Sequence, residues 1–188
     1  MPIRVLSMDP GTAAYAASVL TVSPSDERLR VRVDGTCMVK NTVRDMKKLV
    51  LHVKAFQSEM RRLTRNHGPF DLVVAERFQS RGNKGTTIES INVMLGVLAT
   101  MYPQLVVYTA ATWKNRANAH FDLKSLYAEL KEEMRPLKPR ERRQIHELDC
   151  ATMGVYHASK SLGIDPYADW DDRRATAFLR HVIGSGKL

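Results

Sequence analysis

Ile3-Arg4-Val5-Leu6-Ser7-Met8-Asp9-Pro10-Gly11-Thr12 is the stretch that decides the fold. A short apolar run from Ile3 to Met8 stops abruptly at an Asp-Pro-Gly-Thr turn signal, which reads as a buried β-strand with a carboxylate at its carboxyl end. Asp9 taken alone is equally a turn former beside Pro10 and Gly11. Its weight depends on whether other acids arrive at the same place.

Two strands are expected next. Ala16 to Val22 and Leu29 to Val39 are rich in Val and Leu, and Ser23-Pro24-Ser25-Asp26 between them supplies turn chemistry, predicting an antiparallel pair. In the second, Arg28, Arg30 and Arg32 would share one face and Leu29, Val31 and Val33 the other, the alternation of a half-buried strand. From Thr42 to about Arg65, Val43, Met46, Val50, Val53, Phe56, Met60 and Leu63 recur at three- and four-residue steps, predicting an amphipathic helix with a basic outer face. Asn66-His67-Gly68-Pro69 ends it. Asp71 to Glu76 then reads as a buried strand closing on an acid.

After a polar, glycine-containing loop from Gln79 to Thr87, a helix is expected over Ile88 to Met101 and a fifth strand over Leu105 to Tyr108. Ala110 to His120 shows no decisive period. Leu123, Leu126 and Leu130 predict a helix over Asp122 to Met134, broken by Pro136-Leu137-Lys138-Pro139. Helices over Glu141 to Leu162 and Asp171 to Ile183 complete the chain. Three strands, helix, strand, helix, strand, helices is an α/β order in which an antiparallel start gives way to parallel crossovers.

The 188 residues suit one domain with its own core, 44% of them hydrophobic. No apolar stretch approaches the roughly 18 residues of a membrane span, and the first residues lack a secretory pattern, so a soluble, cytoplasmic protein is expected. Cys37 and Cys150 are too far apart for a metal knuckle and read as buried thiols. The formal charge of +9 favours a polyanionic partner. Because the basic residues recur through folded-looking segments rather than one amphipathic tail, nucleic acid fits better than a membrane surface.

Glu76 alone can be a solvated strand end, and His146 and Asp149, three apart on one helix face, can be merely solvated. Together they say more. Two apolar strands finish on carboxylates at the carboxyl side of a sheet, where α/β sites form, and a late helix offers an imidazole and a further acid. Packing Asp9, Glu76 and Asp149 together costs mutual repulsion unless a cation neutralises them, and oxygen donors with one imidazole suit Mg²⁺, with Mn²⁺ as a substitute.

The opening Asp9-Pro10-Gly11-Thr12, the strand closing at Glu76 and the late Ile145-His146-Glu147-Leu148-Asp149-Cys150-Ala151 resemble the three motifs of the RuvC family of Holliday junction resolvases, in register from about Ile3 to Ala158. The resemblance implies an RNase H-like five-stranded mixed sheet flanked by helices; beyond its reach, a C-terminal helical extension is expected at about 165–188. It also implies Asp9, Glu76, His146 and Asp149 as catalytic metal ligands around two Mg²⁺ ions. By the same resemblance, Lys114 and Lys124 would hold phosphates, Phe78 would lie near the strand crossover of a four-way junction, and Arg81 and Lys84 would contact DNA beside it. A homodimer, with the helix over Ile88 to Met101 as one candidate face, would make paired nicks in recombination and repair, in a nucleoid, a virus or a mobile element.

The chain departs from the family at Ala16-Ala17, where a glycine and an aromatic are usual, and at Asn115 to Phe121, which replaces a glycine-containing stretch. His120 receives no role. Other RNase H-like nucleases acting on RNA or hybrids, and a non-catalytic module binding branched DNA, share these features. An actin-like kinase shares the opening turn but needs two such domains.

Overall fold

The computed structural model describes residues 1–10, 14–25, 28–40, 48–77, 86–138 and 143–188. Its five strands are β1 (Ile3–Pro10), β2 (Ala14–Ser25), β3 (Arg28–Lys40), β4 (Leu72–Arg77) and β5 (Leu105–Thr109). They form one sheet in the order β3-β2-β1-β4-β5. β1 runs antiparallel to β2, and β2 to β3, while β1, β4 and β5 are parallel, so the mixed sheet expected from the sequence is present.

Side-chain alternation gives the sheet two apolar faces. Leu6, Met8, Ala17, Val19, Val73 and Ala75 pack with α1 (Leu49–His67) and α2 (Thr86–Met101). Val5, Leu20, Val22 and Val74 pack on the other side with α3 (Ala110–Asn118), α4 (Leu123–Met134), α5 (Ile145–Ser161) and α6 (Asp172–Gly184). α5 is the central helix, with every residue from Glu147 to Ser159 buried. It lies close to the sheet because Gly154 has no side chain: a Cβ there would fall 2.6 Å from Leu20 and 3.1 Å from Ser7.

The arginine alternation on β3 is present, Leu29 and Val33 being buried and Arg28, Arg30 and Arg32 turned outward. Register then shifts, Leu20 facing Val33 and Val19 facing Gly35, so Asp34 is the extra residue of a bulge. Beyond it Cys37 and Val39 turn to the α1 side. Both cysteines are buried and free, as expected.

Two expectations need correction, and one stretch left without an assignment acquires one. Val50 is 64% exposed: the buried stripe of α1 begins at Phe56, and Val43 and Met46 lie outside the described residues. The helix expected from Glu141 starts at Ile145, because the Gln144 N–H donates to Glu147 Oε2 at 2.8 Å and closes the helix end there. The stretch over Ala110 to His120 that carried no decisive period is α3, started by Thr109, whose hydroxyl accepts from the Thr112 N–H at 3.3 Å.

Candidate metal centre

Met8 pairs with Ala75 across the parallel β1–β4 ladder, and both face the α1 side. One residue further on, alternation sends Asp9 and Glu76 to the opposite face, beneath α5. The first turns of α5 meet them there. His146 Nδ1 lies 2.5 Å from Asp9 Oδ2, and ligand atoms of Asp9, His146 and Asp149 all fall within 4.8 Å of one another.

The start of α5 is fixed from below by a buried polar knot. Glu147, 1% exposed, accepts from Thr36 Oγ1 at 2.7 Å and is paired with the buried Arg143 at 3.4 Å. Thr36 lies 111 residues away in sequence, on the edge strand β3. The knot orients the turn that presents His146, and it was not readable from sequence, where Glu147 passes for one more surface acid of a helix.

Glu76 stands beside the three-residue cluster rather than in it. Its Oε2 accepts from Trp113 Nε1 at 2.9 Å, and Trp113 is wholly buried at the base of α3. Burial, with the neighbouring Asp9 adding to it, pushes the Glu76 carboxyl up to about 7. Asp149 is also raised, by burial, against the opposing pull of Lys114 and Tyr127. The His146 imidazole is raised chiefly by its hydrogen bond to Asp9.

Lys114 is not free for a phosphate here. Its Nζ donates to Asp149 Oδ2 at 2.8 Å, and although burial disfavours its charge, Asp149 outweighs this and raises its pKa. The cluster therefore already contains a cation from α3, which corrects the expectation that only a metal relieves its repulsion. Tyr127 of α4 donates to Asp149 Oδ1 at 2.9 Å. Lys124 is exposed one turn before Tyr127, in a surface depression with His120, Asp122 and Asp172. Phe78, Arg81 and Lys84 lie outside the described residues.

The donor set fits a hard divalent ion. Carboxylate oxygens and an imidazole within 4.8 Å are close to the spread that one ion with ligands at about 2.1 Å can gather. Among the described residues this is the group of His, Cys, Asp and Glu side chains placed to hold a metal.

Sheet order, helix placement and the acids beneath α5 define an RNase H-like α/β fold with a candidate metal centre at the carboxyl end of β1 and β4. The fold is that of RuvC: Thermus thermophilus RuvC superposes with a TM-score of 0.62 at 17% identity, over 86% of this chain and 97% of that one. The same protein solved with a Holliday junction substrate gives 0.64 at 18% identity, over the same shares. No protein-family model matches the sequence, and no curated protein matches it. No helix of the described residues is long and apolar enough to cross a membrane.

Proposed function

We propose that this chain is a metal-dependent endonuclease that resolves four-way DNA junctions. The observation that carries the reading is the convergence of Asp9, His146 and Asp149 within 4.8 Å, with Glu76 beside them, on a fold shared with a protein solved on a Holliday junction.

Asp9, Glu76 and Asp149 would hold Mg²⁺ or Mn²⁺, two ions in the full form of the proposal, and His146 would be a ligand or orient the attacking water. A bound ion supplies Lewis acidity and neutralises phosphate charge. The protein's own part is positional. Asp9 holds the His146 ring through Nδ1, leaving Nε2 for a ligand or a water, while Glu147 and Thr36 keep that helix turn in place. Lys114, released from Asp149, would pair with a phosphate oxygen, and Lys124, Phe78, Arg81 and Lys84 would contact the junction arms and crossover. The whole chain serves as one domain with a helical extension at about 165–188, acts as a homodimer on its two-fold substrate, and works where DNA recombines, in a nucleoid or in a virus or mobile element.

The test is cleavage of a labelled immobile four-way junction beside linear duplex and RNA–DNA hybrid, with Mg²⁺ or with EDTA, and with Asp9→Asn. Paired symmetric nicks, lost with EDTA and in Asp9→Asn, are expected. Junction binding without cleavage in Mg²⁺ or Mn²⁺ defeats the catalytic reading. Preferential cutting of the hybrid moves the protein to another RNase H-like activity.

A further inference from the structure

Two carboxylates of the centre are each held at one oxygen by a neutral aromatic donor. Trp113 Nε1 occupies Glu76 Oε2, and Tyr127 Oη occupies Asp149 Oδ1, both at 2.9 Å. The donors come from different helices, α3 and α4, and meet acids on β4 and α5, so the arrangement is tertiary and not a by-product of one helix face. The other oxygen of Asp149 is held differently. Its partner is Lys114 Nζ, a flexible ammonium with a third of its side chain exposed, which an incoming ion can displace.

We infer that Trp113 and Tyr127 are positioning residues that restrict Glu76 and Asp149 to one coordinating oxygen each and so select Mg²⁺ or Mn²⁺ over Ca²⁺. The inference rests on the metal-dependent reading of the centre. Ca²⁺ prefers six to eight oxygens at about 2.3–2.6 Å and readily takes both oxygens of a carboxylate, whereas Mg²⁺ demands six near-octahedral ligands at about 2.0–2.1 Å and tolerates single-oxygen donors and water. Each carboxylate oxygen has two lone pairs, so the hydrogen bond does not fill the second oxygen; it fixes the rotation of the carboxylate, and turning both oxygens toward one ion strains or breaks that bond. Trp113 is wholly buried and cannot swing aside without opening the core beside α3. The donors are neutral, so they leave the negative charge for the ion while holding each carboxylate in an orientation that disfavours two-oxygen binding of the larger one.

Tyr127→Phe removes one hydroxyl and keeps the ring. Titration of the 188-residue chain and this variant with MgCl₂ and with CaCl₂, without DNA, reads the ratio of the two affinities, and the unfolding midpoint checks the fold. Losing a partner behind a ligand changes metal affinity by roughly 10- to 100-fold, and the variant is expected to lose more of this for Mg²⁺ than for Ca²⁺, shifting the ratio toward Ca²⁺ by up to about tenfold. An unchanged ratio in a folded Tyr127→Phe chain overturns the inference and leaves the metal centre standing. A wild-type chain that takes up neither ion overturns both. If Tyr127→Phe does not fold, Trp113→Phe makes the same measurement on Glu76, with the same two outcomes.

Discussion

Glu76 carries a proton in the ion-free chain up to about pH 7, because burial and Asp9 both work against its charge. Uptake of a divalent ion has to expel that proton. Mg²⁺ affinity is therefore expected to rise between about pH 5 and 8, and calorimetry in buffers of different ionisation enthalpy should show proton release that Glu76→Gln largely removes. The same shift sets a stability slope. A carboxyl raised from 4.5 to about 7 on folding contributes stability below 4.5 that is lost as pH rises through 7, on the order of 3 kcal/mol in all. His157 works the other way. Burial, helped by Lys160, lowers it from 6.5 to about 4, so its contribution is complete above 6.5 and lost as pH falls through 4, again on the order of 3 kcal/mol. Urea denaturation should show His157→Gln flattening the acid side, and Glu76→Gln gaining stability over wild type above pH 7. Asp9 and Glu76 were legible in sequence because each closes an apolar strand. Trp113 and Tyr127 were not, since a Trp in a helix and a Tyr beside leucines both look like core until α3 and α4 are docked on their acids.

Among the elements, the two glycines of helices α2 and α5 make opposite predictions. Gly154→Ala puts a Cβ against Leu20 and Ser7 and is expected to cost about 1–3 kcal/mol, while lifting His146 and Asp149 from Asp9; its melting temperature and its Mg²⁺ affinity should fall together. Gly96, on the exposed side of α2, would meet nothing within 4 Å, so Gly96→Ala should stabilise by about 0.5–1 kcal/mol in the same thermal assay. Strand existence and order were readable from runs bounded by turn chemistry, and Arg28, Arg30 and Arg32 reported their face correctly. Helix beginnings were not. Gln144 and Thr109 start helices through hydrogen bonds whose acceptors, Glu147 Oε2 and the Thr109 hydroxyl, compete in sequence with strong helix formers on either side.

For the molecule as a whole, the net charge of +9 is the property a DNA substrate would sense first. Junction affinity should fall steeply with salt, by roughly a thousandfold or more between about 50 and 200 mM if several phosphates are contacted, and fluorescence anisotropy across that range measures it. The proposed homodimer predicts sedimentation at about twice 21.3 kDa, which analytical ultracentrifugation checks. The order β3-β2-β1-β4-β5 leaves two borders to the sheet, and β3 is the long one. Near its bulge that border is taken up from outside: Thr36 N–H donates to Gly186 O and Leu188 N–H to Thr36 O, with Lys187 bridging in parallel. Before the bulge its outward face carries three arginines. At Thr36 that border is thus closed to a neighbouring strand, which blunts edge-to-edge pairing between copies there, as would matter if several gathered on a polyanion.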